Sequence, residues 1–254
     1  MINILNSYIL NTEEFTLGLT ASLIVLFSVA IGLFIASRYF KYKETNLLYI
    51  GISWIGLNSG WWPTTVSFLT TFTTGILIPD VLYFAIGNVG IPIFAMIWMI
   101  AITDLMYKEK RQSILVIYLI FVAIFEVLTI IGLILYPNIN LLGKLNGPVD
   151  VEYETLYGLY LIAITFSIVL TGIIFARKSL KSKRKLNQLK GKFLIAAFIV
   201  YFIGAILDAL FPLSELIALL IIVRLALIIS GFLFYLGWIM PAVLKKRFVE
   251  DPQV

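Results

Sequence analysis

Cysteine and histidine are both absent from the 254 residues of this chain. Without cysteine there is no disulfide, no thiolate metal ligand and no cysteine nucleophile. Without histidine, the chain also lacks the usual ligands of zinc and haem and the commonest general base. We therefore expect no bound metal or other cofactor. The sequence contains no P-loop, GxGxxG or GxSxG motif either, so no enzymatic activity is expected.

Charged residues are scarce as well, and apolar residues take their place. Only 13% of the residues are charged, whereas soluble domains contain about 25%. Hydrophobic residues make up 61% of the chain, and its mean hydropathy is +1.03. This composition excludes a soluble domain with a conventional core and is typical of a protein that crosses a membrane several times.

Seven stretches of the sequence can cross a membrane, since a spanning helix needs about 20 mostly apolar residues. The predicted fold is an all-α bundle of seven transmembrane helices that form one domain over residues 1–254. The second stretch is interrupted by Asn58, Gly60 and Pro63, and a kink is expected at Pro63. The predicted spans are 15–39, 46–72, 79–106, 113–136, 153–176, 193–212 and 215–241.

Basic residues predict the orientation, because cytoplasmic loops are enriched in lysine and arginine. With the N-terminus outside, 17 of the 19 Lys and Arg residues fall on the cytoplasmic side. Only Lys144 then lies outside, and only Arg224 lies within a span. We therefore expect a multi-pass protein of the cell membrane with an external N-terminus and a cytoplasmic C-terminus. Neither a cleaved signal peptide nor an appended soluble domain is expected.

Three ionisable residues fall inside the predicted spans, where such side chains are costly and usually face the interior of the bundle. At 1.5 Å of rise per residue, Glu126 lies about 15 Å below the outer surface, Arg224 about 13 Å and Asp208 about 6 Å. Asn88 falls at about 13 Å, close to the depth of Arg224. These four residues predict one polar layer in the outer half of the bundle. Glu126 is the expected partner of Arg224, with Asp208 as a second or competing one.

Three interpretations of this layer are open. It can be a structural clamp that fixes the register of the helices, a ligand pocket that opens to the outside, or a proton relay. A relay is disfavoured because no chain of carboxylates continues inward. Trp61 and Trp62, beside the expected kink, are candidates to line a pocket, although ordinary packing would explain them too.

A basic segment at 177–192 contains eight Lys and Arg residues and no acidic residue. Such a cluster attracts anionic lipid headgroups with about 1 kcal/mol per residue near the surface. Determination of topology would account for the same charges, and an acidic cytoplasmic partner is a third possibility. No nucleic-acid partner is expected. The residues predicted to contact anionic lipid are Arg177, Lys178, Lys181, Lys183, Arg184 and Lys185.

Two familiar seven-helix families do not fit. Microbial rhodopsins bind retinal through a lysine in the seventh helix, and the stretch 215–241 contains no lysine. Arg224 cannot replace it, because a guanidinium forms no ordinary Schiff base. Seven-helix sugar transporters are built from two similar three-helix units, but this sequence has no internal repeat.

The chain resembles the seven-transmembrane sensor regions that precede histidine kinases in prokaryotes. The resemblance covers the membrane region, and the 254 residues contain no kinase domain. In the third span it rests on Leu82-Tyr83-Phe84-Ala85-Ile86-Gly87, then Pro92, then Tyr107-Lys108-Glu109-Lys110-Arg111. At the end of the chain it rests on Arg224, Ile228-Ile229-Ser230, Tyr235-Leu236-Gly237-Trp238 and Pro241, followed by Lys245-Lys246.

The resemblance implies a sensor or receptor-like membrane protein that binds a small ligand in its outer half and signals to a partner. A small-solute or ion transporter or channel is the alternative. Transporters usually contain repeats and broken helices at the midplane, and the Pro63 region is the one sequence feature of that kind.

Overall fold

Helices make up almost all of the regular structure in a computed structural model that describes residues 7–210, 216–242 and 244–245. A two-stranded hairpin is the exception, with β1 (Gly143–Leu145) antiparallel to β2 (Val151–Tyr153). The helices are α1 (Thr12–Tyr42), α2 (Thr45–Leu57), α3 (Trp62–Thr74), α4 (Asp80–Asn88), α5 (Ile91–Met106), α6 (Arg111–Leu135), α7 (Thr155–Leu180), α8 (Lys185–Leu210) and α9 (Ile217–Trp238).

Six helical segments of the described residues are long and apolar enough to cross a membrane. The all-α membrane bundle expected from the composition is therefore confirmed, and the chain is a multi-pass membrane protein. The six segments are Thr12–Tyr42, Asp80–Met106, Lys108–Leu135, Thr155–Leu180, Lys185–Ala209 and Ile217–Trp238. The predicted end of one span at 212 and the start of the next at 215 lie outside the described residues.

The second predicted span is divided into α2 and α3 by a 3-10 turn at Ser59–Trp61. The break begins at Asn58, whose side-chain amide donates a hydrogen bond back to the Trp54 carbonyl at 2.8 Å. Pro63 lies beyond the break, in the first turn of α3. Backbone N–H groups in a first turn have no helical acceptor, so a proline there costs no hydrogen bond. The interruption lies at Asn58 and Gly60, two of the three residues named for it, and it precedes Pro63, where the kink was expected.

Local sequence explains several helix ends. Asn11 and Glu14 form a reciprocal capping box at the start of α1, with both hydrogen bonds at 2.9 Å. Pro92 occupies the first turn of α5, as Pro63 does in α3. Gly75 ends α3 in the left-handed conformation at φ 70°, which glycine adopts without steric cost.

Helices α7, α8 and α9 run antiparallel in turn, since Gly172 of α7 packs on Phe198 of α8 and Gly237 of α9 packs on Leu194 of α8. The ends of the helices form two opposite faces of the bundle. We call them the hairpin end, which carries β1 and β2, and the basic end, where α7 is followed by α8. Helices α1 and α2 approach closely because Gly32 faces Gly51, and a Cβ at Gly51 would lie 2.7 Å from the backbone nitrogen of Ala36. At the hairpin end, Leu142 packs against Gly132 of α6. Val149 inserts among apolar side chains of α1, α3 and α9, so the hairpin is docked on the bundle.

Candidate functional site: a cavity beneath the hairpin

A cavity of about 180 Å³ opens between the helices in the half of the bundle nearest the hairpin. Its walls come from α2, α3, α4, α5, α7, α8 and α9, and residues Val149–Val151 and Tyr153 of the hairpin lie over it. The break between α2 and α3 faces the cavity through Gly60 and Trp61. Drug-sized pockets measure about 300–1,000 Å³, so this cavity suits a smaller ligand.

Arg224 forms a buried ion pair with Asp208 on one wall of the cavity. Its Nε lies 3.0 Å from Oδ1 of Asp208, and the two side chains are only 7% and 10% exposed. Its Nη1 donates to the carbonyl of Leu17 and, at 2.8 Å, to Oγ1 of Thr20. The ion pair therefore joins α9 to α8 and to α1.

Trp61 completes the hydrogen bonding of the Asp208 carboxylate. Its indole nitrogen donates to Oδ2 at 2.7 Å, while Oδ1 receives Arg224. Both carboxylate oxygens are thus occupied, as a buried charge requires. Trp61 is the last residue of the 3-10 turn between α2 and α3, so this bond ties the interrupted helix to the ion pair.

The expected pairing of Arg224 with Glu126 is wrong. Arg224 makes its ion pair with Asp208, and Oε2 of Glu126 has no hydrogen-bond partner within the part of the chain that the structure describes. The reason is lateral position. Glu126 belongs to α6, which packs mainly against α5 and not against α9. Equal depth in a membrane does not bring two residues together when their helices lie on different sides of the bundle.

The structure brings four of the six predicted pocket residues to one cavity, namely Asn88, Trp61, Asp208 and Arg224. Asn88 donates from Nδ2 to the Phe84 carbonyl at 2.8 Å, whereas its Oδ1 has no hydrogen bond of normal geometry among the described residues. Glu126 and Trp62 do not line the cavity. Trp62 instead packs edge-on against Phe94, with ring centroids 5.8 Å apart.

Asp150 is a cavity residue that the sequence reasoning placed in an external loop and did not connect with the polar layer. Burial raises its pKa above the ordinary value, and the nearby Asp208 and Glu152 carboxylates add to that effect. The Val151 N–H, which donates to Oδ1 at 3.0 Å, and the Arg224 guanidinium oppose it. The hairpin carries Asp150 to the cavity, and the run Asn146, Gly147, Pro148 was the available turn signal.

The cavity is closed towards the basic end by a cluster of four aromatic rings, defined by Trp54, Trp98, Phe198 and Phe234. Trp54 stacks on Phe234 with ring centroids 4.0 Å apart, and Trp98 meets Phe198 edge-on at 5.6 Å. Within the described residues, the space among these rings is a void of only about 10 Å³. No ligand could pass this cluster without moving it.

The six predicted lipid-contact residues are all exposed at the basic end: Arg177, Lys178, Lys181, Lys183, Arg184 and Lys185. The segment is not a long loop, however. Helix α7 continues to Leu180 and α8 begins at Lys185, so only four residues join them. The chain extends both helices beyond the apolar spans because Lys and Arg are good helix formers.

Comparison with known proteins gives no match, since no family model fits the chain and no curated protein or solved structure is significantly similar to it. The function must therefore be argued from the cavity and its charges.

Proposed function

We propose that this chain is a membrane sensor that binds a small ligand in the cavity beneath the hairpin and transmits a change in helix packing to a partner. The observation that carries the proposal is a cavity closed towards the basic end by stacked aromatic rings, with a buried ion pair in its wall. A pocket with one closed side suits detection of a ligand. The resemblance to prokaryotic seven-transmembrane sensor regions supports the same function.

The ion pair offers a means of transmission. Arg224, Asp208 and Trp61 connect α9, α8 and the turn between α2 and α3, and Arg224 also bonds to α1. A ligand that interacts differently with two arrangements of these helices will shift the balance between them. No catalytic activity is needed for this role.

The proposed topology has seven spans, with α2 and α3 together forming one broken crossing. The hairpin end then faces outward and the basic end faces the cytoplasm of the cell, in accordance with the distribution of Lys and Arg. Exposed basic residues at the α7–α8 junction would contact anionic headgroups of the cell membrane. The same surface is available to a membrane-bound or cytoplasmic signalling partner.

One observation favours a transporter as the second candidate. The break at Ser59–Trp61 interrupts the α-helix beside the cavity in the middle of a crossing, as in many secondary transporters. In that case the aromatic cluster of Trp54, Trp98, Phe198 and Phe234 would be a gate that opens towards the basic end.

A binding screen followed by flux measurements tests both functions. Purified protein in nanodiscs is screened for ligands by the emission of tryptophan, since Trp61 lies in the cavity wall. The variant Ala205→Leu fills the cavity, and Ala123→Leu, on the exposed face of α6, is its matched control. If the protein is a sensor, it binds a ligand, Ala205→Leu abolishes that binding and Ala123→Leu does not. Proteoliposomes that contain the protein then show no uptake of the ligand. Uptake would support the transporter, and the absence of any cavity-dependent ligand would contradict both.

A further inference from the structure

The charges around the cavity do not balance. Three charged side chains line it, two carboxylates and one guanidinium, so one negative charge is left over. Arg224 attracts Asp150 at longer range, but its ion pair is with Asp208 and its Nη1 donates to α1. The excess charge belongs to Asp150, which has no salt bridge to any described residue.

One oxygen of Asp150 is available to a ligand. Oδ1 accepts the Val151 N–H at 3.0 Å, whereas no hydrogen bond to Oδ2 is found among the described residues. A half-buried carboxylate of this kind is favourable only if a cation or a proton neutralises it. A ligand with a negative charge would be repelled by the same group.

Aromatic rings form much of the remaining wall. Trp61, Tyr153 and Tyr201 line the cavity together with Phe94. A cation bound in a cavity of about 180 Å³ would lie close to these rings, and cation–π attraction acts over about 6 Å. Rings and a single carboxylate suit an organic ammonium ion. They do not suit a metal ion, and no cluster of three His, Cys, Asp or Glu side chains occurs in the described parts of the chain.

We propose that the ligand of this cavity is a small organic ammonium ion, held by the Asp150 carboxylate against the rings of Trp61, Tyr153 and Tyr201. This inference rests on the proposed ligand-binding function and names the class of ligand. Hairpin residues cover the cavity and also provide its unpaired carboxylate, so the hairpin determines which ligands the site selects.

The test is a titration of the purified protein in nanodiscs with methylammonium, tetramethylammonium and choline chlorides, followed by tryptophan emission. Sodium chloride at equal ionic strength controls for salt, tert-butanol is the neutral probe and acetate the anionic one. We expect saturable binding of at least one ammonium ion and none of acetate. Loss of the anion in Asp150→Asn should weaken that binding about tenfold or more.

Glu152→Gln is the matched control, because Glu152 lies in the same hairpin but is exposed and paired with Lys144 at 3.0 Å. Its affinity should stay within about twofold of the parent protein, a change of less than about 0.5 kcal/mol. Asp150→Glu, which keeps the charge, should retain more affinity than Asp150→Asn. Equal ammonium affinity in Asp150→Asn and the parent protein would overturn the proposal.

The design separates this inference from the proposed function. If no ammonium ion binds but tert-butanol, acetate or a screened compound does, and Ala205→Leu blocks it, then the ammonium assignment fails while ligand binding stands. If no compound of any charge binds in a way that Ala205→Leu blocks, the ligand-binding function itself fails, and the ammonium assignment fails with it.

Discussion

The Arg224–Asp208 pair allows a quantitative test of how the polar layer is held together. Charge centres about 4 Å apart attract each other by about 4 kcal/mol at an effective dielectric constant of about 20. Much of this attraction offsets the cost of removing both ions from water, so the net value of the pair is small. Removal of one partner is different, because it leaves the other ion buried: these side chains are only 7% and 10% exposed.

We therefore expect Arg224→Met to reduce the free energy of unfolding by about 3–5 kcal/mol. Asp208 would keep only the Trp61 indole as a partner. In Arg224→Met combined with Asp208→Asn, no charge is stranded, and the loss should be at least about 2 kcal/mol smaller than the sum of the two single losses. Glu126→Gln is the matched control, and its effect should add to that of Arg224→Met within about 0.5 kcal/mol.

Unfolding in mixed micelles, with a rising fraction of sodium dodecyl sulfate, gives these free energies under reversible conditions. Tryptophan emission follows the transition, and Trp61 reports directly because its indole is bonded to Asp208. Additive losses for Arg224→Met and Asp208→Asn would refute the coupling. A larger coupling with Glu126 than with Asp208 would show that the ion pair described above is not the one that stabilises the protein.

Three further predictions follow from other parts of the molecule. Burial raises the pKa of Asp150, so its ionised form disfavours folding and the melting temperature should rise as the pH falls from neutral through that pKa. Asp150→Asn should melt higher than the parent protein at pH 7 and should lose this pH dependence. Gly51→Ala should cost about 1–3 kcal/mol by overpacking α1 against α2, whereas Gly60→Ala, whose Cβ meets nothing within 4 Å, should cost no more than a few tenths. In the cysteine-free chain, an impermeant maleimide should label Asn146→Cys but not Ser182→Cys in intact cells; the reverse pattern would invert the proposed topology.

The sequence alone was sufficient for the membrane bundle and for the burial of Arg224. Apolar runs of about 20 residues are typical of membrane-spanning helices. An arginine near the middle of such a helix must face the protein and not the lipid. Its partner could not be predicted, because depth is readable from residue counts but lateral position is not. Helix α6 lies beside α5, which removes Glu126 from the Arg224 site. That separation depends on packing, which one sequence does not reveal.

The hairpin shows a second limit of the sequence reasoning. Its strands have three residues each, too short for an alternating pattern to stand out between two apolar spans. The sequence therefore predicts an ordinary loop over residues 143–152 and a span from residue 153, with Asp150 as an external acid. Only the docking of Val149 among side chains of α1, α3 and α9 brings that acid over the cavity. The break in the second span is predictable from Asn58 and Gly60, but the kink expected at Pro63 is not there, because that proline lies in the first turn of α3.

The packing also indicates which parts of the bundle could carry a signal. A Cβ at Gly204 would lie 2.9 Å from Leu227 of α9, and Lys190 donates to the Trp238 carbonyl at 2.8 Å. Helices α8 and α9 are thus joined along their length and would move together. Their contacts with α2 and the turn that follows it include a ring stack between Trp54 and Phe234. Two hydrogen bonds accompany it, from Trp61 to Asp208 and from Tyr201 to the Leu57 carbonyl. Trp61 and Tyr201 both line the cavity, so a ligand there would act directly on the contact between the α8–α9 pair and the break after α2.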